Sequence, residues 1–263
     1  MHLFLIGIGT GNPEHLTLQA IRALNRADVV LIPRKGPDKA DLADLRRTIC
    51  AEVITSPETR IVEFDMPVRD PATPGYIARV NDWHDAIAAR WQAAIPPGAG
   101  AVALLVWGDP ALYDSTLRIA ARLGAEVTVI PGLMSPQVLT AAHGIALNDL
   151  GAPFMVTTGR RLRAEGWPVG CDTLVVMLDG DCAFQALAPE GIAIWWGAYV
   201  GMPEQILEHG PLSEAGPRIV AARAAARAAH GWIMDIYLLR RDPAGAEEPA
   251  AQAPGPARPR HQP

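Results

Sequence analysis

The sequence has little of several things that would narrow its function. Its 263 residues include three cysteines, Cys50, Cys171 and Cys182, far apart and with no CxxC or Cys/His spacing. That pattern gives no readable disulfide framework and no metal site, and leaves buried thiols. No apolar run approaches the ~20 residues of a membrane span. The first ten residues, MHLFLIGIGT, lack the basic start and cleavage site of a signal peptide. A soluble, cytoplasmic protein with no membrane contact is the expectation. A dominant charge sign is missing too. Lys and Arg number 23 against 28 Asp and Glu, a net charge of -5. This balance argues against a nucleic-acid partner and leaves any anionic ligand to a local basic pocket. What is present fits one large globular domain or two small ones: 49% hydrophobic residues, with glycine and proline at 24 each marking many turns.

Hydrophobic patterning predicts an α/β fold. LFLIGIG reads as a strand entering a glycine turn, and the next segment sets Leu16, Ile21 and Leu24 at helical spacing. Strands follow over 27–33 and 60–64, helices over 38–54, capped by Asp38, and from YIARV to Pro96. AVALLVW, 101–107, is the most apolar strand and is expected at the centre of the sheet. A helix over 111–123 and a strand over 126–131 complete the alternation, which implies a parallel sheet. After Gly132 come a short helix at 135–143 and strands at 154–158, 173–178, 192–199 and 232–240, implying a mixed sheet. The organisation expected is therefore an α/β subdomain over 1–131, a second over 132–241 with a ligand cleft between them, and a Pro/Ala-rich tail over 242–263. The tail has almost no large apolar residue to offset its ordering entropy and should be flexible. AARAAARAAHG, 221–231, reads as a helix with a solvated basic face.

Two glycine-bearing turns carry the chemistry. GIGTGNP, 7–13, occupies the place of a dinucleotide-binding loop, but Pro13, Glu14 and His15 separate its last glycine from the helix. The second strand ends in Pro33, Arg34 and Lys35 rather than in a ribose-binding acid, which leaves an NADP-type reading open. WGDPALYDS, 107–115, follows the most apolar strand, and PGLMSPQ, 131–137, follows the next. Gly108 permits close backbone approach, Asp109 can accept from ribose hydroxyls or a ligand ammonium, and Pro110 suits a first helical position.

Taken in order, GIGTGNPEHLTLQAIRALNRADVVLI, LLVWGDPALYDS and VIPGLMSPQVLTAAHGIALN resemble the signature of the tetrapyrrole methylases, the cobalamin and siroheme methyltransferases. TTGRR, VVMLDGD and MPEQILEHGPL fall where that family has its later motifs, so the resemblance covers nearly the whole chain short of the tail. Thr10 stands where many members have proline, and Trp107 precedes Gly108 and Asp109 where many have GGD. The branch most resembled adds a methyl group from S-adenosylmethionine to a precorrin and releases acetate. The resemblance implies a homodimer with no metal, and a cofactor site of Thr10, Trp107, Gly108, Asp109, Leu112, Met134, Ser135, Leu178, Val200, Gly201 and Met202. Deacetylation needs a general base and an oxyanion donor, for which Tyr113, His143 and Arg160 are candidates. A precorrin's carboxylates call for cations, and Arg34, Lys35, Arg160 and Arg161 follow predicted strands. IAIWWGAYV reads as an exposed apolar stretch suited to a subunit contact. Competing readings are another tetrapyrrole methyltransferase of the same family, a methyltransferase acting on RNA or an elongation factor, an NADP-dependent oxidoreductase, and a cofactor-binding regulator.

Overall fold

The computed structural model describes residues 1–34, 40–69 and 74–241. In the first half, strands β1 (His2–Gly7), β2 (Val29–Arg34), β3 (Arg60–Asp65), β4 (Ala101–Val106) and β5 (Glu126–Ile130) form one sheet in the order β3-β2-β4-β1-β5. Every pairing is parallel. Helices α1 (Leu18–Arg26), α2 (Ala40–Val53), α3 (Tyr76–Ala94) and α4 (Thr116–Ala120) complete it. An unbroken run such as AVALLV needs cover on both faces, and β4 is the central strand with Val102 to Val106 all buried. Leu3 and Leu5 pack with Ile87 and Trp91 of α3 and Ile119 of α4. Ile6 faces the other way, toward Leu24 of α1 and Ile49 of α2.

The second sheet is mixed. Strands β6 (Phe154–Thr158), β7 (Thr173–Met177), β8 (Ile192–Ala198), β9 (Ile206–Pro211) and β10 (Asp235–Arg241) lie in the order β6-β7-β10-β8-β9, with only β6 and β7 parallel. Helices α5 (Ser135–His143), α6 (Gly159–Glu165) and α7 (Leu212–His230) cover it. Val138 and Leu139 of α5 pack on one face with Val175 and Leu238, while Leu212, Ala215, Ile219 and Ala226 of α7 join Trp196 and Tyr237 on the other.

Several expectations need correction. The helix expected over 111–123 begins only at Thr116, so Pro110 lies in a turn rather than opening the helix. The reason is local: the Asp109 carboxylate takes the Ala111 N–H, and Tyr113 adopts a left-handed φ of 51°, which no helix continues. Helix α6 and strand β9 have no counterpart in the sequence reading. The basic segment at 221–231 is the second half of a 19-residue helix with Ala226 in the core. IAIWWGAYV is not an exposed face, because β8 lies between β10 and β9 and Trp196 is fully buried. Among the described residues no helix is long and apolar enough to cross a membrane. Lys35, Asp38 and the segment 242–263 lie outside the described residues.

Candidate functional site

Three loops leave the carboxyl ends of adjacent strands β1, β4 and β5 and meet backbone to backbone. Gly108 N–H donates to Gly9 O at 2.7 Å, and Gly9 N–H returns to Gly108 O at 3.3 Å. A Cβ on Gly7 would lie 2.6 Å from Gly132 N and 2.7 Å from Gly108 O, and one on Gly132 would run into the Gly108 carbonyl oxygen. Only glycine fits there. Asp109, 8% exposed, fastens the cluster: Oδ1 accepts the Ala111 N–H at 2.7 Å and Oδ2 the Gly132 N–H at 2.9 Å. The expectation that Asp109 accepts from a ligand is thus redirected, since both oxygens serve protein amides. The dinucleotide reading of the first loop also fails locally. Asn12 caps a three-residue 3-10 helix at Pro13–His15, and α1 starts at Leu18 under its own Thr17 cap, so the loop does not run into the N-terminus of α1.

These loops form one wall of a cavity of about 700 Å³ between the two sheets. The structure brings together Thr10, Trp107, Gly108, Asp109 and Leu112 along it. Met134, Ser135, Leu178 and Val200 border the same space, as does Tyr113. Gly201 and Met202 do not; they stand behind the wall, against His15 and Gly11 respectively. Thr10 clamps this seam by donating to Val200 O at 2.6 Å. Burial lowers the His15 pKa, so its ring is held neutral in the seam. The Arg46 guanidinium lies 4.8 Å from the Trp107 ring centroid, and Trp107 Nε1–H is buried with no protein acceptor among the described residues.

Backbone strain collects at the same place. Four described non-glycine residues have left-handed φ values, and three of them, Tyr113 (51°), Leu178 (53°) and Tyr199 (51°), line the cavity. Such positions cost about 1–3 kcal/mol each and persist where surrounding structure holds them. Tyr113 is held by its hydroxyl donating to Val156 O at 3.2 Å, and Tyr199 by donating to Trp232 O at 2.6 Å.

Other sequence candidates lie elsewhere. His143 closes α5, with Nε2 3.0 Å from Trp196 O and its ring edge-on to His209. Burial lowers its pKa, but the imidazole is engaged away from the cavity lining. Arg160 and Arg161 sit on α6 outside that lining, and Arg161 pairs with Glu165 at 2.8 Å. Arg34 pairs with Asp65 at 2.9 Å and Glu63 at 3.8 Å, also outside the lining. The three cysteines are buried, and burial pushes the Cys50 and Cys182 thiols up to about 11, which keeps them protonated.

The opposite wall comes from α7 and β10, and the sequence reading missed it. Arg223, taken as solvated, donates from Nε to Asp235 Oδ2 at 2.8 Å and from Nη2 to Asp179 O at 3.1 Å. Trp196 Nε1 reaches the same Asp235 oxygen at 3.0 Å. Behind it, Asp179 accepts from Tyr237 OH at 2.6 Å and from Ala183 N at 2.5 Å. Burial and the Asp179 carboxylate push the Tyr237 hydroxyl pKa up. Arg227 borders the cavity one turn after Arg223. The available signal was arginine repeating every four residues, which fixes one helix face but not what that face meets.

A family model described as Tetrapyrrole (Corrin/Porphyrin) Methylases matches residues 2–216. A precorrin-6A synthase (deacetylating) of Sinorhizobium sp is 50% identical over 248 residues, covering 91% of this chain and 95% of that protein. The crystal structure of a cobalamin synthesis related protein, CobF, from Corynebacterium diphtheriae superposes with a TM-score of 0.78 at 40% identity, covering 92% of this chain and 99% of that one. A uroporphyrin-III C-methyl transferase from Thermus thermophilus, complexed with S-adenyl homocysteine, shares the fold at a TM-score of 0.54 and 21% identity, covering 91% of this chain and 97% of that one.

Proposed function

The chain belongs to the tetrapyrrole (corrin/porphyrin) methylases, and from that premise we propose that it methylates carbon 1 of precorrin-5 with S-adenosylmethionine and releases acetate, giving precorrin-6A in aerobic cobalamin biosynthesis. The observation that carries this reading is 50% identity, over nearly all of both chains, with a deacetylating precorrin-6A synthase. The cavity suits it. Its volume of about 700 Å³ lies in the range of small-molecule sites. Its loop wall offers a glycine cradle where backbone can come close to a nucleoside-bearing cofactor.

Bound there, S-adenosylmethionine supplies an electrophilic methyl group on a sulfonium. The protein's part in that transfer is alignment and exclusion of water, worth about 7–11 kcal/mol when geometry is right. Asp109 keeps two loops in register, and Leu112, Met134 and Leu178 present apolar surface to the cofactor. No protein base is required for this step. Acetate release is different, because water must add to a carbonyl while an oxyanion develops. Of the three sequence candidates for that task only Tyr113 borders the cavity, with its hydroxyl on Val156 O; His143 and Arg160 stand outside the lining and are not assigned to it.

The protein acts in the cytoplasm and as a homodimer in this reading. Exposed Val129 on edge strand β5 and exposed Phe154 and Met155 on edge strand β6 supply apolar surface for a second copy. The test incubates purified protein with methyl-labelled S-adenosylmethionine and enzymatically prepared precorrin-5, following ring mass and free acetate. Methyl gain with stoichiometric acetate is expected. Methyl gain without acetate would assign the protein to another precorrin methylation, and loss of both signals would remove the substrate assignment.

A further inference from the structure

The acids bordering the cavity are engaged by the protein itself. Asp109 and Asp179 accept backbone N–H groups, Asp114 Oδ1 accepts the Thr116 N–H at 2.6 Å, and Asp235 holds Arg223. Two cations face them from α7. Arg223 has its charge matched by Asp235 and its fork fixed by two acceptors. Arg227 is exposed and has no carboxylate within 4 Å among the described residues. Four residues apart on one helix, the two lie on the same face with Cβ atoms about 5–6 Å apart. Trp232, Ile233 and Met234 border the cavity beside them and add apolar surface. An uncompensated guanidinium, a fixed one beside it and adjoining apolar surface suit a ligand with an apolar body and an anionic rim.

We propose that Arg227 binds a peripheral carboxylate of the tetrapyrrole substrate, with Arg223, oriented by Asp235, as the neighbouring donor. This rests on the tetrapyrrole reading above and replaces the sequence-based placement of that role on Arg34, Lys35, Arg160 and Arg161. Two alternative roles for Arg227 give different outcomes. In one, the carboxylate it meets belongs to the cofactor; in the other, the residue serves only the last turn of α7, where a cation complements the helix dipole.

The experiment uses the full chain and its Arg227→Ala, Arg227→Lys and Arg161→Gln variants. Uroporphyrin III, a carboxylate-rimmed macrocycle, is titrated by quenching of protein tryptophan fluorescence at low and high salt. S-adenosylhomocysteine is titrated by calorimetry, and thermal unfolding is followed in parallel. Arg227→Ala is expected to weaken uroporphyrin binding about tenfold, the loss of one hydrogen bond to a charged group. Its salt dependence should flatten, and Arg227→Lys should recover part of the loss. S-adenosylhomocysteine affinity should stay as in the wild type, and Arg161→Gln should change neither ligand. A tenfold loss of S-adenosylhomocysteine affinity instead would overturn the proposal in favour of the cofactor carboxylate. A lowered unfolding midpoint with both affinities intact would overturn it in favour of the helix dipole. Wild-type protein that binds S-adenosylhomocysteine but not uroporphyrin III would remove the tetrapyrrole reading itself, and the proposal with it.

Discussion

The two walls of the cavity are built on opposite principles. The wall from β1, β4 and β5 is held by main chain, with Gly7, Gly9, Gly108 and Gly132 packed so closely that no side chain fits at Gly7 or Gly132. The wall from α7 and β10 is held by side-chain charge, with Arg223, Asp235, Asp179 and Tyr237 joined in one network. A backbone wall gives a fixed surface for one cofactor shape and fails when an atom is added. A charged wall can meet an anionic rim and fails when a partner is removed.

The largest expected effect breaks the charged wall. Asp235→Ala removes the carboxylate that Arg223 and the Trp196 indole N–H share, leaving the arginine charge unmatched, and should cost about 3–5 kcal/mol in denaturant unfolding. Replacing Arg223 and Asp235 together with leucine should restore much of that stability. Next comes an added atom in the backbone wall. Gly132→Ala drives a methyl group into the Gly108 carbonyl and should cost about 3 kcal/mol, the upper end for overpacking, with loss of S-adenosylhomocysteine binding. Asp109→Asn puts amide hydrogens against one of two backbone N–H groups. It should cost about 1–2 kcal/mol and weaken S-adenosylhomocysteine in calorimetry, while uroporphyrin binding holds.

Smaller effects separate strain from fit. Leu178→Gly removes a left-handed leucine that is 67% exposed, so it should raise unfolding free energy by about 1 kcal/mol while methyl transfer slows. A gain in stability with unchanged turnover would show that the strain has no functional use. The smallest effect is in pH. His15 has its pKa lowered by burial, so the folded seam favours the neutral ring. Its contribution is present above the ordinary histidine value and is lost as pH falls through the lowered folded value. S-adenosylhomocysteine affinity should therefore decline in mild acid, and His15→Gln should flatten the decline.

The first half was legible because it repeats one physical pattern. Continuous apolar strands such as AVALLV, alternating with helices, leave few alternatives to a parallel sheet covered on both faces, and β4 is central as its composition requires. The glycine turns were also readable as positions of close approach, since a motif after an apolar strand marks the carboxyl edge of a sheet. Beyond that, local pattern fails where a partner distant in sequence decides the outcome. Asp109 reads as a ligand acceptor until Gly132, 23 residues on, is seen to supply its donor. Arg223 reads as solvated because Asp235 lies on a different element. His143 is a candidate base by its residue type alone, and its engagement by the carbonyl of Trp196, 53 residues away, is invisible to local pattern. β9 was missed for a similar reason, since ILEHGP has too little apolar alternation alone and forms only by pairing with β8.

The division of labour between the walls is tested most directly by a crystal structure of the protein with S-adenosylhomocysteine. The cofactor is expected against Trp107, Leu112, Met134, Leu178 and Val200, with Arg223 and Arg227 left facing open cavity. A cofactor seated with its carboxylate on Arg223 or Arg227 would contradict it.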